Sequence, residues 1–115
     1  MALSGKGRRL KGINYERETC SLLRPVYPDC ERTQEGDSLD RAGVDIRGTG
    51  GLLVQCKRGR GYASARVLKE ITVSGGVPVV ITRADNERSV AMLYADDLIR
   101  ILEDIGVAYE TRDTI

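Results

Sequence analysis

Apolar residues along this chain change their spacing several times, and each change marks an element. From Gly12 to about Arg24 a stripe recurs at intervals of three, four and three, at Ile13, Glu16, Cys20 and Leu23, which predicts a helix with one carboxylate on its inward side. Arg24-Pro25 ends it, because the residue before proline is pushed out of the α region. Residues 25–40 are irregular and polar, with room for short strands at Val26–Tyr27 and near Glu31–Gln34. Alternation then predicts two strands, Val44–Arg47 and Leu52–Lys57, joined by a reversal at Gly48, Gly50 and Gly51. Tyr62–Val73 reads as a second helix with Ala63, Val67, Leu68 and Ile71 inward, stopped by Ser74-Gly75-Gly76. Val77–Thr82 is a nearly continuous apolar run, the pattern of a strand covered on both faces, with Pro78 at its start or on an edge. A further strand at Ser89–Tyr94 precedes a helix capped by Asp96 or Asp97, with Leu98, Ile101, Leu102 and Ile105 on one side. Val107 and Tyr109 in the tail could add packing.

The order helix, hairpin, helix, strand, strand, helix predicts an α/β domain with a mixed central sheet and helices on both faces. Residues 1–11 combine glycines with Lys6, Arg8, Arg9 and Lys11 and show no sustained periodicity, so they read as a flexible basic arm before a single domain at 12–115.

Period-two alternation puts Leu52, Val54 and Cys56 on one face of the second hairpin strand and Gln55 and Lys57 on the other. Asp45 sits between two β-branched residues on the partner strand. With an odd number of loop residues, Asp45 and Gln55 share a face. A carboxylate, an amide oxygen and an ammonium then converge beside Lys57-Arg58-Gly59-Arg60, which suits a divalent cation and a phosphate.

Composition narrows the chemistry. The 115 residues include no histidine, which removes Ser-His-Asp catalysis, Cys-His nucleophiles and His-ligated zinc, leaving acid–base work to Asp, Glu, Lys or Tyr. Net charge is only +1, but cations crowd the start and middle while acids gather toward the end, the distribution of a polyanion-binding face. Cys20, Cys30 and Cys56 form no CxxC pair and read as buried thiols of a reducing cytoplasm. No apolar run is long enough for a membrane span, and no signal peptide is evident.

Val44-Asp45-Ile46 followed by Gln55-Cys56-Lys57 resembles the PD-(D/E)xK nuclease superfamily, in which an aspartate on one strand precedes an (E/Q)-x-K triplet on the next. Lys11-Gly12-Ile13-Asn14-Tyr15-Glu16-Arg17-Glu18 is similar to the opening K-G-x-x-x-E-R-E of archaeal and phage Holliday junction resolvases. The resemblance spans roughly residues 11–102. It implies a restriction-endonuclease-like core and a magnesium-dependent endodeoxyribonuclease, manganese substituting, that works as a homodimer on four-way DNA junctions in recombination and repair. No other cofactor is implied, and a phage-encoded chain would act in the host cytoplasm. Glu16, Asp45, Gln55 and the Cys56 backbone carbonyl would hold the ion, and Lys57 would orient or deprotonate the attacking water or stabilise phosphate charge. Lys6, Arg8, Arg9, Lys11, Arg32, Arg41, Arg58 and Arg60 are the expected DNA contacts. The resolvases usually carry glutamate where this chain has Gln55, whereas Mrr-type restriction endonucleases, similar around G-V-D and V-Q-C-K, carry glutamine. Two other readings therefore stand: an Mrr-like restriction or repair endonuclease on duplex DNA, and a non-catalytic DNA-binding module of the same fold.

Overall fold

The computed structural model describes residues 5–105. Helix α1 runs from Gly5 to Leu23, strand β1 covers Glu31–Arg32, and a one-turn helix α2 covers Ser38–Arg41. Strands β2 (Ile46–Arg47) and β3 (Leu52–Arg58) follow, then a 3-10 helix at Ala65–Glu70, β4 (Val77–Arg83), β5 (Val90–Met92) and α3 (Ala95–Ile105). The sheet is mixed and five-stranded in the order β1-β2-β3-β4-β5, with β3 and β4 parallel and the other neighbours antiparallel. The α/β class with a mixed sheet thus matches the expectation.

Each sheet face has its own core. α1 lays Tyr15 and Cys20 against Ile46, Val54, Cys56, Val79 and Ile81, with Cys30 beneath. On the other face Leu68 and Ile71, from the 3-10 helix and its end, meet Val44 and Val80, and Leu39 of α2 packs beside them. The alternation read from β3 holds, since Val54 and Cys56 face α1 while Leu53 faces the second core.

Several boundaries differ from expectation. The helix predicted from Gly12 begins at Gly5, so residues 5–11 of the expected arm form its first turns; residues 1–4 lie outside the described residues. Lys6, Arg8, Arg9, Leu10 and Lys11 are all strong helix formers, which offsets the cost of Gly7 and Gly12. Arg9 bonded to Glu35 and Lys11 to Asp85 tie these turns to the domain. The segment at Val26–Tyr27 is a turn rather than a strand, with Tyr27 N–H donating to the Leu23 carbonyl. Residues 62–73, expected as an α-helix, yield only the 3-10 helix, capped by Ser64. Val67, Ile71, Thr72 and Val73 are stiff β-branched residues, and Thr72 N–H is taken by the Ala42 carbonyl, so the chain leaves the helix early. Pro78 lies inside the sheet, but β5 pairs only with residues 80–82, which leaves an open side where its missing N–H costs nothing. α3 is amphipathic as predicted, yet it buries no residue, and Leu98, Ile99, Leu102 and Ile105 are exposed. The expected packing by Val107 and Tyr109 falls outside the described residues.

Candidate functional site

The site forms where β2 parts from β3. Ile46 pairs with Val54, but the Asp45 N–H donates to that same Val54 carbonyl at 2.8 Å, one residue out of step. This is a bulge, and it breaks the alternation, sending Val44 into one core and Ile46 into the other. The Val44 carbonyl turns away to accept from the buried Thr33 hydroxyl at 2.8 Å. The Asp45 carboxylate takes the vacated position, accepting the Cys56 N–H at 2.8 Å. The simple expectation that Asp45 and Gln55 stand on one face is therefore modified, because the carboxylate lies at the level of the ladder, between the faces.

From there it senses both sides. Burial drives the Asp45 pKa up from 3.8 to about 6; the Cys56 N–H pulls it down, the Glu16 carboxylate on α1 pushes it up, and Lys57 pulls it down. Glu16 is partly buried, as the stripe predicted, and accepts the Arg32 Nε–H at 2.8 Å. The most buried α1 positions are Tyr15, Thr19 and Cys20, so the inward direction runs beside Glu16 rather than through it.

Gln55 is buried at 6% exposure, and its Oε1 has no hydrogen-bond partner. Its Nε2 faces Glu70 Oε1 at 3.4 Å, and Lys57 Nζ lies 3.5 Å from the same oxygen. Buried amide oxygens are almost always satisfied, so Gln55 Oε1 is an acceptor that the described protein groups leave open. The Cys56 N–H and carbonyl point to the same side of the strand, toward Asp45, as antiparallel geometry requires. Its thiol faces α1, and burial raises the thiol pKa.

Among the described residues no three Asp, Glu, Cys or His side chains converge as a metal centre. The available donors are two carboxylates, an amide oxygen and a main-chain carbonyl. These oxygens are of the type magnesium takes, with Glu16 on the α1 side of the sheet acting on Asp45, and Gln55 on the side that carries Glu70.

The expected DNA contacts divide into groups. Arg8, Arg9 and Arg32 line a cleft of about 280 Å³ that also contains Glu16, Glu35 and Asp40, placing cations beside one site carboxylate. Lys11 and Arg58 meet on Asp85 instead, at 3.3 and 2.7 Å, and Arg58 also donates to the Gly59 carbonyl. Those pairs hold Asp85 below the usual carboxylate range. Arg41 is spent locally, donating twice to the Gly36 carbonyl. Lys6 and Arg60 are exposed. No local pattern points to Glu70, which lies inside a predicted helix, or to Thr33, whose role depends on a carbonyl distant in the chain.

No protein-family model, curated protein or solved structure matches the chain. Among the described residues no helix is long and apolar enough to cross a membrane.

Proposed function

We propose that this chain is a divalent-metal-dependent endonuclease of restriction-endonuclease-like fold that hydrolyses DNA phosphodiesters. The observation that carries this reading is the desolvated Asp45 carboxylate seated on the Cys56 N–H, one residue along β3 from the buried, partnerless Gln55 Oε1. Glu16, Asp45, Gln55 Oε1 and the Cys56 carbonyl would hold magnesium, with manganese as a substitute. Bound there, the ion would supply Lewis-acid neutralisation of the phosphoryl oxygens and an acidified water. Lys57 is exposed enough to meet a phosphate and sits between Asp45 and Glu70, so its ammonium can orient the attacking water or offset charge developing on the phosphoryl group. Arg8, Arg9 and Arg32 would meet backbone phosphates at that cleft, Arg9 and Arg32 exchanging Glu35 and Glu16 for phosphate oxygens.

The substrate we favour is a four-way DNA junction cut by a homodimer, on the strength of the K-G-x-x-x-E-R-E helix. Magnesium-dependent digestion of junction, duplex and single-stranded DNA tests it, with Asp45→Asn and Lys57→Ala as controls. Junction cutting lost in both variants supports the reading. Equal cutting of any duplex points to a restriction or repair enzyme, and binding without cutting leaves a DNA-binding module.

A further inference from the structure

We infer that Glu70 is a positioning residue that aims the Gln55 oxygen and tethers Lys57, an inference that rests on the metal-dependent reading of the site. The two ends of a glutamine amide have nearly the same shape and opposite polarity, so in a buried setting a neighbour must decide which end faces the ion. Glu70 decides it. An ionised carboxylate only accepts, so it takes the Nε2–H end of Gln55 at 3.4 Å and turns Oε1 away from itself. The reverse orientation would set an amide oxygen against a carboxylate oxygen. The same Glu70 Oε1 lies 3.5 Å from Lys57 Nζ, so one oxygen anchors both members of the Gln-x-Lys triplet.

This arrangement also addresses the charge that glutamine lacks. A carboxylate drawing on the N–H end polarises the amide and makes its oxygen a better donor, the role that outer carboxylates play toward ligating side chains. Glu70 is well placed to be constant in this role. It ends the 3-10 helix, its backbone packs against Gly43, and Thr72 just beyond is fixed by the Ala42 carbonyl.

Calorimetric titration with manganese alone at neutral pH tests the inference on the wild type, Glu70→Ala, Glu70→Gln, Gln55→Glu and the double variant Gln55→Glu/Glu70→Gln. Metal-free melting of each variant reports its fold, and magnesium-dependent cleavage is measured in parallel. Glu70→Ala is expected to weaken manganese binding by about 10–100-fold. Glu70→Gln, which keeps an acceptor, should lose less. Gln55→Glu places a second carboxylate against Glu70, and Glu70→Gln replaces that repulsion with an amide donor, so the effects of the two substitutions on manganese affinity should depart from additivity by at least about tenfold. Glu70→Ala binding within about twofold of wild type, or an additive cycle, overturns the role of Glu70 while leaving the metal site standing. A wild type that takes up no manganese and cuts nothing overturns the metal reading and this inference with it. Should Glu70→Ala fail to fold, the Gln55→Glu cycle decides.

Discussion

The carboxylate of Asp45 accepts the backbone N–H of Cys56 at 2.8 Å, occupying a position in the β2–β3 ladder where a main-chain carbonyl would normally stand. That bond supports the anion, yet burial and Glu16 outweigh it, and the pKa settles near 6. Because the folded value lies above the unfolded one, the native state binds more protons between about pH 4 and pH 6, and stability falls as pH rises through that window. Asp45→Asn keeps an acceptor for Cys56 and carries no charge. It should raise metal-free stability at neutral pH by about 1–3 kcal/mol and flatten the dependence between pH 4 and 6, as urea titrations across pH would show.

Metal uptake should follow the same proton. An ion binding at Asp45 must displace it, so manganese affinity should climb about tenfold per pH unit below about pH 6 and level off above. The binding should also release protons in acid. Buffers of different ionisation enthalpy reveal that release calorimetrically, and an affinity flat from pH 5 to 7 would remove Asp45 from the site.

Gly43 has φ +84, and a Cβ there would overlap the Glu70 carbonyl. Gly43→Ala should therefore cost about 2–4 kcal/mol and displace Glu70. Thermal melting reads the first effect and manganese titration the second.

The arginines should separate by environment. Arg8→Ala, on the cleft beside Glu16, should weaken DNA binding and lower the slope of log affinity against log salt by about one unit. Arg41→Ala should leave that slope unchanged, since the side chain serves the Gly36 carbonyl. Fluorescence anisotropy at several salt concentrations measures both.

Cys20, Cys30 and Cys56 are all buried and free, and burial raises the Cys20 thiol to about 11, with Cys30 beside it adding to the shift. Native protein at neutral pH should resist alkylation at all three, and denatured protein should react fully. Mass spectrometry after a short iodoacetamide pulse distinguishes the two.

Much of this was legible in the sequence because it follows from local rules. Alternation places Val54 and Cys56 opposite Gln55 and Lys57, and helical spacing sets Glu16 at the edge of the buried side of α1, where it meets Arg32. The rest depended on partners distant in the chain. Nothing near Asp45 announces the bulge, which arises because Thr33 draws off the Val44 carbonyl. Glu70 looked like one more polar residue on a helix until the 3-10 geometry brought it to the hairpin. The glycines of residues 1–11 suggest a loose arm, whereas the strong helix formers around them carry α1 back to Gly5, with Arg9 and Lys11 reaching Glu35 and Asp85.

The bulge has an evolutionary corollary. If β2 were to pair regularly with β3 beyond Ile46, the sheet would gain a rung and Asp45 would lose its seat. Better strand pairing and a carboxylate on the Cys56 N–H thus exclude each other here, and variants selected only for thermal robustness should drift toward closing the fork and losing the proposed metal binding.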